Sequence, residues 1–281
     1  MKYRFIDLFA GAGGLSEGFI RAGYEPIAHI EMDHYACDSL KTRAAFHYLK
    51  ENGKLEIYEE YLKNKKEKTD GSWLWNQVPK SVIDSVIQEA IGKETLPSLF
   101  ERVDKLCNGK PVDMIIGGPP CQAYSVAGRA RLGKKIEEDP RNDLYKFYVE
   151  FLKRYKPKMF VFENVLGIFT AKGGEPFRDL IRLVRELDYN IDFREQIASQ
   201  HGVLQKRHRV IIVGWQNKRD TQEDTSYHYP YLLEEQMPYK MMRDLFCDLP
   251  IVKAGEGTLC GIVHYTKPLS DMEYLKKSGI R

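Results

Sequence analysis

The chain of 281 residues, 43% of them hydrophobic and with a formal charge of +3, can bury one large α/β core, excludes a disordered polypeptide, and allows a polyanionic partner without requiring one. Its five cysteines, Cys37, Cys107, Cys121, Cys247 and Cys260, form no Cys-x-x-Cys pair and no His/Cys cluster, which argues against a disulfide framework or a bound metal and for a reducing cytoplasm. With no signal-peptide core after Met1 and no apolar run of membrane-spanning length, a soluble protein is expected.

In chain order, Arg4 to Phe9 reads as a buried strand, Gly14 to Ala22 as an amphipathic helix and Pro26 to Glu31 as a second strand. Between the first two lies Phe9-Ala10-Gly11-Ala12-Gly13-Gly14-Leu15, a turn with little side-chain bulk whose helix presents its first amides to a ligand. It fails as a dinucleotide fingerprint, because Ser16 stands where the last glycine belongs, and it has no phosphate-cradling lysine. Glu31 ends the second strand, where a carboxylate can accept hydrogen bonds from both ribose hydroxyls of a nucleoside. A plain helix cap is the competing reading.

From about residue 50 to residue 110 the pattern loosens into what reads as a polar insertion. The run Lys63-Asn64-Lys65-Lys66-Glu67-Lys68 is balanced by nearby acids and reads as a solvated face, while Trp73 and Trp75 are expected to pack a small core of the insertion's own. Val112 to Gly117 is the next strand, followed by Gly117-Gly118-Pro119-Pro120-Cys121-Gln122. Two prolines stiffen the backbone and hold the thiol at a strand's carboxyl end, the place where open α/β sheets keep their ligands. A buried cysteine is often only a small hydrophobe, but this setting favours a reactive one.

Helical patterns at Asp143 to Tyr155 and Pro176 to Leu187 alternate with strands at Met159 to Glu163, Ile191 to Ala198 and Arg209 to Trp215. The expected fold is therefore α/β, a doubly wound and mostly parallel sheet. Glu163 would reach the same rim as Cys121, where a carboxyl group facing a heterocycle nitrogen can hold a proton. In Gln205-Lys206-Arg207-His208-Arg209 an extended backbone would aim Gln205, Arg207 and Arg209 one way and Lys206 and His208 the other. Such a row suits phosphate and carbonyl oxygens, although an ordinary basic edge strand looks the same. Beyond Trp215 the alternation stops, and a soft boundary near 220 divides residues 1–220 from an extension over 221–281.

Taken in order, Phe9-Ala10-Gly11-Ala12-Gly13-Gly14, Glu31-Met32-Asp33, Pro119-Pro120-Cys121-Gln122, Glu163-Asn164-Val165 and Gln205-x-Arg207-x-Arg209 resemble the cytosine-C5 DNA methyltransferases over roughly residues 3–215, with Arg141-Asn142-Asp143-Leu144 similar to the family segment whose leucine packs on the cofactor. The resemblance implies a Rossmann-like fold that binds S-adenosylmethionine and releases S-adenosylhomocysteine. It implies transfer of a methyl group to C5 of cytosine in double-stranded DNA, with restriction-modification as the setting and the bacterial cytoplasm or nucleoid as the place. By the family's mechanism Cys121 adds to ring carbon C6 of a flipped-out cytosine, Glu163 serves N3, Arg209 holds O2, and Arg207 holds a flanking phosphate or Glu163 itself, the two arginine roles being interchangeable.

The same resemblance assigns Phe9, Gly11, Gly13, Gly14, Leu15, Glu31, Met32, Pro120 and Leu144 to the cofactor. It assigns Gln122, Ser125, Arg129, Arg131, Asn164 and Gln205 to DNA, with Lys134 and Lys135 beside the arginines of the loop after Cys121. The acidic residue that reads the adenine amino group falls in the insertion, with Glu94 and Asp104 as candidates. Departing from the family pattern, no Gln-x-Phe-Pro and no Gly-Asn-Ser follow Arg209, so neither the target-recognition region nor the closing segments are recognisable. A truncated chain, a split enzyme completed by a second subunit, and a degenerate remnant all fit that departure. A silent DNA-binding subunit and an RNA cytosine methyltransferase are the rival functions. The intact Cys121, Glu163 and arginines speak against the former, and the missing Cys-Phe-Thr signature against the latter.

Overall fold

The computed structural model describes residues 2–63, 71–120, 143–203, 205–217, 249–253 and 255–256. Seven strands form one sheet in the order β3-β2-β1-β4-β5-β7-β6: β1 (Arg4–Leu8), β2 (Glu25–Glu31), β3 (Val86–Gln88), β4 (Met114–Gly117), β5 (Met159–Asn164), β6 (Tyr189–Ile197) and β7 (His208–Gln216). Pairings among β1 to β5 are parallel, and β7 enters antiparallel between β5 and β6. The order reverses between β1 and β4, which opens a crevice at their carboxyl ends. Every strand expected from the sequence is present within two residues of its expected ends.

Central strands are apolar because helices cover both faces; β4 is buried at all four positions. Helices with ordinary one-sided patterns include α1 (Gly14–Arg21), α7 (Leu144–Tyr155) and α8 (Glu175–Glu186). Phe151, Phe160, Phe162 and Tyr148 are fully buried between α7 and the sheet, each aromatic body contributing about 1.5–3 kcal/mol of burial. The Tyr148 hydroxyl donates to the carbonyls of Ile115 (3.0 Å) and Val161 (3.1 Å), on neighbouring strands. Burial, helped by the charge of Asp7, pushes its phenol far above the ordinary value, so it remains a donor. Across the β5–β7 pair Phe160 faces Gly214, where an added Cβ would lie 2.0 Å from the ring; only glycine admits that ring. At the opposite end of the sheet from the crevice, Asp113 accepts from the Arg4 amide (3.0 Å) and from Lys158 (2.8 Å), tying together the starts of β1, β4 and β5.

The expected insertion is corrected. It holds β3 and α6 (Leu96–Cys107), both parts of the main sheet's core, together with α3 (Leu55–Lys63), α4 (Ser72–Trp75) and α5 (Lys80–Asp84). Before it runs α2 (His34–Glu51), which the sequence pattern did not reveal. That helix has two buried sides: Cys37 and Leu40 pack toward the sheet, and Ala45 and Leu49 join Tyr61, Leu74 and Val78 in a satellite core. Apolar residues therefore surround α2 instead of striping it, and no 3.6-residue period stands out. Trp73 and Trp75 pack on the satellite core, as expected. No helix among the described residues is long and apolar enough to cross a membrane.

Candidate active site

The first wall of the crevice is the turn after β1. Phe9 and Gly11 take left-handed backbone angles (φ 56° and 53°), and so does Gly13 (φ 82°), where a Cβ would also lie 2.9 Å from Leu40. This winding turns the Gly11 amide toward Glu31, whose Oε2 accepts it at 2.7 Å. The other oxygen, Oε1, accepts the amides of Met32 and Asp33, each at 2.8 Å. The Asp33 side chain in turn caps α2 by accepting from the Ala36 amide at 2.8 Å. Glu31 is thus a fixed carboxylate braced by three amides at the end of β2, and one brace comes from the glycine turn itself.

Around it, Met32 is 67% exposed at the rim, Phe9 packs half-buried on the main core, and Gly14 and Ala12 are exposed at the mouth of α1. Leu144 opens α7, and Pro120 follows β4, both half-buried. Leu15 lies differently from the expectation: it packs beneath the turn against Phe5, Met114 and Ile116, so its side chain supports the site from within. Glu94 lies exposed before α6, and Asp104 is engaged on the α6–α7 surface with Arg154 and with the Tyr155 hydroxyl (3.0 Å). A further carboxylate at this rim is Glu89, directly after β3, its amide bonded to the Glu31 carbonyl at 2.9 Å. A three-residue strand is too short to announce itself by alternation, which is why Glu89 escaped the sequence reading.

The second wall comes from β4 and β5. A Cβ on Gly117 would lie 2.3 Å from the Leu8 carbonyl oxygen, and one on Gly118 would lie 2.6 Å from Oε2 of Glu163. Two bare Cα atoms therefore let β4 pass the end of β1 and seat the Glu163 carboxylate directly over the backbone that leads to Cys121. Arg209 donates from Nε to Glu163 Oε1 at 2.6 Å, and Arg207 Nη2 stands 3.8 Å from the same oxygen. Arg207 is half exposed, Arg209 much less so, and His208 turns the opposite way to Glu195 (2.6 Å). Both guanidiniums thus bear on Glu163 Oε1, Arg209 by a hydrogen bond and Arg207 more loosely from a more exposed position.

Gln205 does not continue that row. It sits exposed in a turn, its carbonyl accepting from the Arg207 amide at 2.9 Å, and the extended backbone begins at His208. Asn164, expected at the DNA, is buried: its side-chain amide donates to the Pro119 carbonyl (3.4 Å) while its oxygen accepts from the Val165 amide (2.8 Å). It braces the loop that carries the cysteine. Cys121, Gln122, Ser125, Arg129 and Arg131 lie outside the described residues. The described thiols, Cys37 and Cys107, are buried; burial, reinforced by the charge of Glu31, pushes Cys37 up to about 11, which makes it unsuited to nucleophilic work.

The family model for C-5 cytosine-specific DNA methylases matches residues 3–72 and 89–258, covering both walls of the crevice. The chain belongs to this family. It is 33% identical over 280 residues to the type II methyltransferase M.Bpa9945I of Bacillus paralicheniformis, a match spanning 90% of this chain and 62% of that protein. To the type II methyltransferase M1.HphI of Haemophilus parahaemolyticus it is 29% identical, spanning 100% and 63%. The chain thus covers about three-fifths of the length of these curated relatives. The solved structure of the Entamoeba histolytica methyltransferase EhMeth superposes with a TM-score of 0.51 at 16% identity over 90% of this chain and 62% of that one, and shows a shared fold. The family's cofactor is S-adenosylmethionine. The residues present fit it: a braced carboxylate for ribose hydroxyls, a glycine turn free of side chains, and an exposed apolar Met32 beside half-buried Phe9.

Proposed function

We propose that this chain carries the catalytic machinery of a type II DNA cytosine-C5 methyltransferase, acting on double-stranded DNA within a bacterial restriction-modification system. The observation that supports this most is the seating of Glu163 over Gly118: Glu163 is on β5, next to the strand β4 that runs into Pro119-Pro120-Cys121, and is held by Arg209 of β7. C5 of cytosine is a poor nucleophile, and the chemistry begins by adding electrons to the ring. The Cys121 thiolate adds to C6 of a base turned out of the duplex. Both arginines act on Oε1 of Glu163, which leaves Oε2 for ring N3, where a shared proton takes up the charge as C6 is attacked. Arg207, the more exposed of the two, is placed for the O2 carbonyl or the neighbouring phosphate. When bound, S-adenosylmethionine supplies the methyl group that the activated C5 takes up. Loss of the C5 proton and departure of the Cys121 thiolate then restore the aromatic ring.

In this reading Phe9, Gly11, Gly13, Gly14, Glu31, Met32, Glu89, Pro120 and Leu144 hold the cofactor, while the cationic side chains Arg129, Arg131, Lys134 and Lys135 meet phosphates. Target recognition belongs to a further segment or a second subunit. The test is transfer of radiolabelled methyl groups from S-adenosylmethionine to mixed-sequence duplex DNA, with Cys121→Ala as control. Label in 5-methylcytosine that depends on Cys121 is expected. Label confined to RNA, or label that survives Cys121→Ala, would overturn the assignment.

A further inference from the structure

We propose that β6 is a homodimerisation edge, pairing antiparallel with β6 of a second copy about a two-fold axis through Phe193. β6 is the outermost strand of the sheet, nine residues long, and among the described residues nothing pairs with its outer side. Its phase is set by its partner on the inner side: Asp188 accepts from the Asn217 amide, and the Ala198 amide donates to Arg207. Even-numbered residues therefore bond inward, and Tyr189, Ile191, Phe193, Glu195 and Ile197 turn their main-chain groups outward. Among the described residues the outward amide of Phe193 donates to its neighbour's side chain, Asp192 Oδ1, at 2.7 Å. An open edge of this length is a template for another strand.

Charge then selects the partner and the register. With the axis at Phe193, each Asp192 lies opposite Arg194 of the second copy at a non-hydrogen-bonded position, where side chains approach most closely. A shift of the axis to residue 192 sets Asp192 against Asp192, and a shift to residue 194 sets Arg194 against Arg194. Centring on Glu195 opposes that carboxylate to itself, and centring on Ile191 sets Asp192 against Asn190 and leaves Arg194 opposite Asp188, which precedes the strand, so that both charges are paired within the strand with the axis at Phe193 alone. The strand is thus self-complementary in one register, as an isologous two-fold contact requires. Within one chain Asp192 and Arg194 already approach to 3.7 Å, so the pairing redirects charges that lie on the correct face.

The other face of the strand adds apolar surface. Phe193 is 41% exposed and closes a cluster with Phe177 (ring centroids 5.0 Å apart) and Phe169 (5.7 Å). Beside it a groove of about 710 Å³ runs between α8 and the strand, lined by Phe177, Ile181, Ile191 and Phe193 and by four charged side chains of α8, three of them arginines. A two-fold axis normal to the sheet lays the two Phe193 rings side by side and joins the two aromatic clusters. It also sends the two crevices in opposite directions, so that the dimer would carry two separate sites.

Sedimentation of the whole 281-residue chain across the micromolar range tests this, with twice the chain mass expected. Asp192→Arg or Arg194→Asp alone should weaken the dimer at least tenfold, because each opposes like charges. Mixing those two variants should restore a one-to-one heterodimer, since each then meets its opposite. Thermal unfolding of each variant reads any damage within a single copy. As a second route, oxidation of Phe193→Cys should link two copies through position 193. A monomeric wild type, single variants that dimerise unchanged, no heterodimer on mixing, or a Phe193→Cys chain that stays monomeric on oxidation would each overturn the proposal, and the edge would then serve another strand or none.

Discussion

Removing the Glu31 carboxylate should damage two things at once, and the structure separates them. Glu31→Ala leaves the amides of Gly11, Met32 and Asp33 without their acceptor. A bond to a charged acceptor is worth about 1.5–3 kcal/mol. Met32 and Asp33 lie at the exposed end, where water replaces most of that, so the half-buried Gly11 bond counts in full and the others little. The folded state should lose about 2 kcal/mol, a fall in Tm of roughly 4–8 °C. Cofactor affinity should fall as well: with three of about four acceptor sites taken by amides, Glu31 keeps one for a ribose hydroxyl, a charge-assisted bond worth about 1.5–3 kcal/mol, or roughly ten- to a hundredfold in Kd. Glu31→Gln keeps one acceptor but points an amide donor at amide donors, and should lie between the wild type and the alanine variant on both scales. Differential scanning calorimetry gives the first quantity and titration calorimetry with S-adenosylmethionine the second. A lowered Tm with an unchanged Kd would mean that Glu31 braces the glycine turn and touches no ribose.

Two further outcomes test the second wall and the foot of the sheet. Gly118→Ala puts a methyl group 2.6 Å from Glu163 Oε2 and 3.0 Å from the Glu163 carbonyl oxygen, which cannot both yield. Methyl transfer should fall at least tenfold, with about 1–3 kcal/mol of overpacking in thermal melts, while S-adenosylmethionine Kd stays near wild type; undiminished turnover would refute the seating of Glu163. For Asp113, burial pushes the carboxyl up, but hydrogen bonds from Lys158 and the Arg4 amide outweigh it and hold it below the ordinary value. A carboxylate held lower in the folded state stabilises above its unfolded value of about 3.9, and that contribution is lost as pH falls through the folded one. Asp113→Asn should therefore lower Tm at pH 7 and narrow its gap to wild type as pH drops below about 4; a gap independent of pH would show that the charge contributes nothing.

Much of the crevice was legible because its chemistry is local. Glu31 ends a strand whose apolar run is plain, and the glycine turn and the Pro119-Pro120 pair mark their places by backbone restriction alone. What escaped depended on contacts between distant segments. α2 hid its periodicity because it packs on two cores, and β3 with Glu89 was too short to show alternation. Gln205 was assigned to a row by extending a period through a turn, and Asn164 was sent to the DNA when its amide was needed at Pro119. No pattern within either segment could have shown those partners.

The satellite core packed on the outer side of α2 has an evolutionary consequence. Of the described residues, 55–63 and 71–84 hang from that helix by their own apolar cluster, and the chain re-enters the sheet at β3. Insertions and losses there change how much helix is stacked outside α2 without moving Glu31 or the glycine turn. The family model leaves residues 73–88 unmatched between its two blocks, a stretch that takes in α5 and β3 while α3 lies within the first block. A flank that folds on itself in this way can be lengthened or shortened while Glu31 and the glycine turn keep their places.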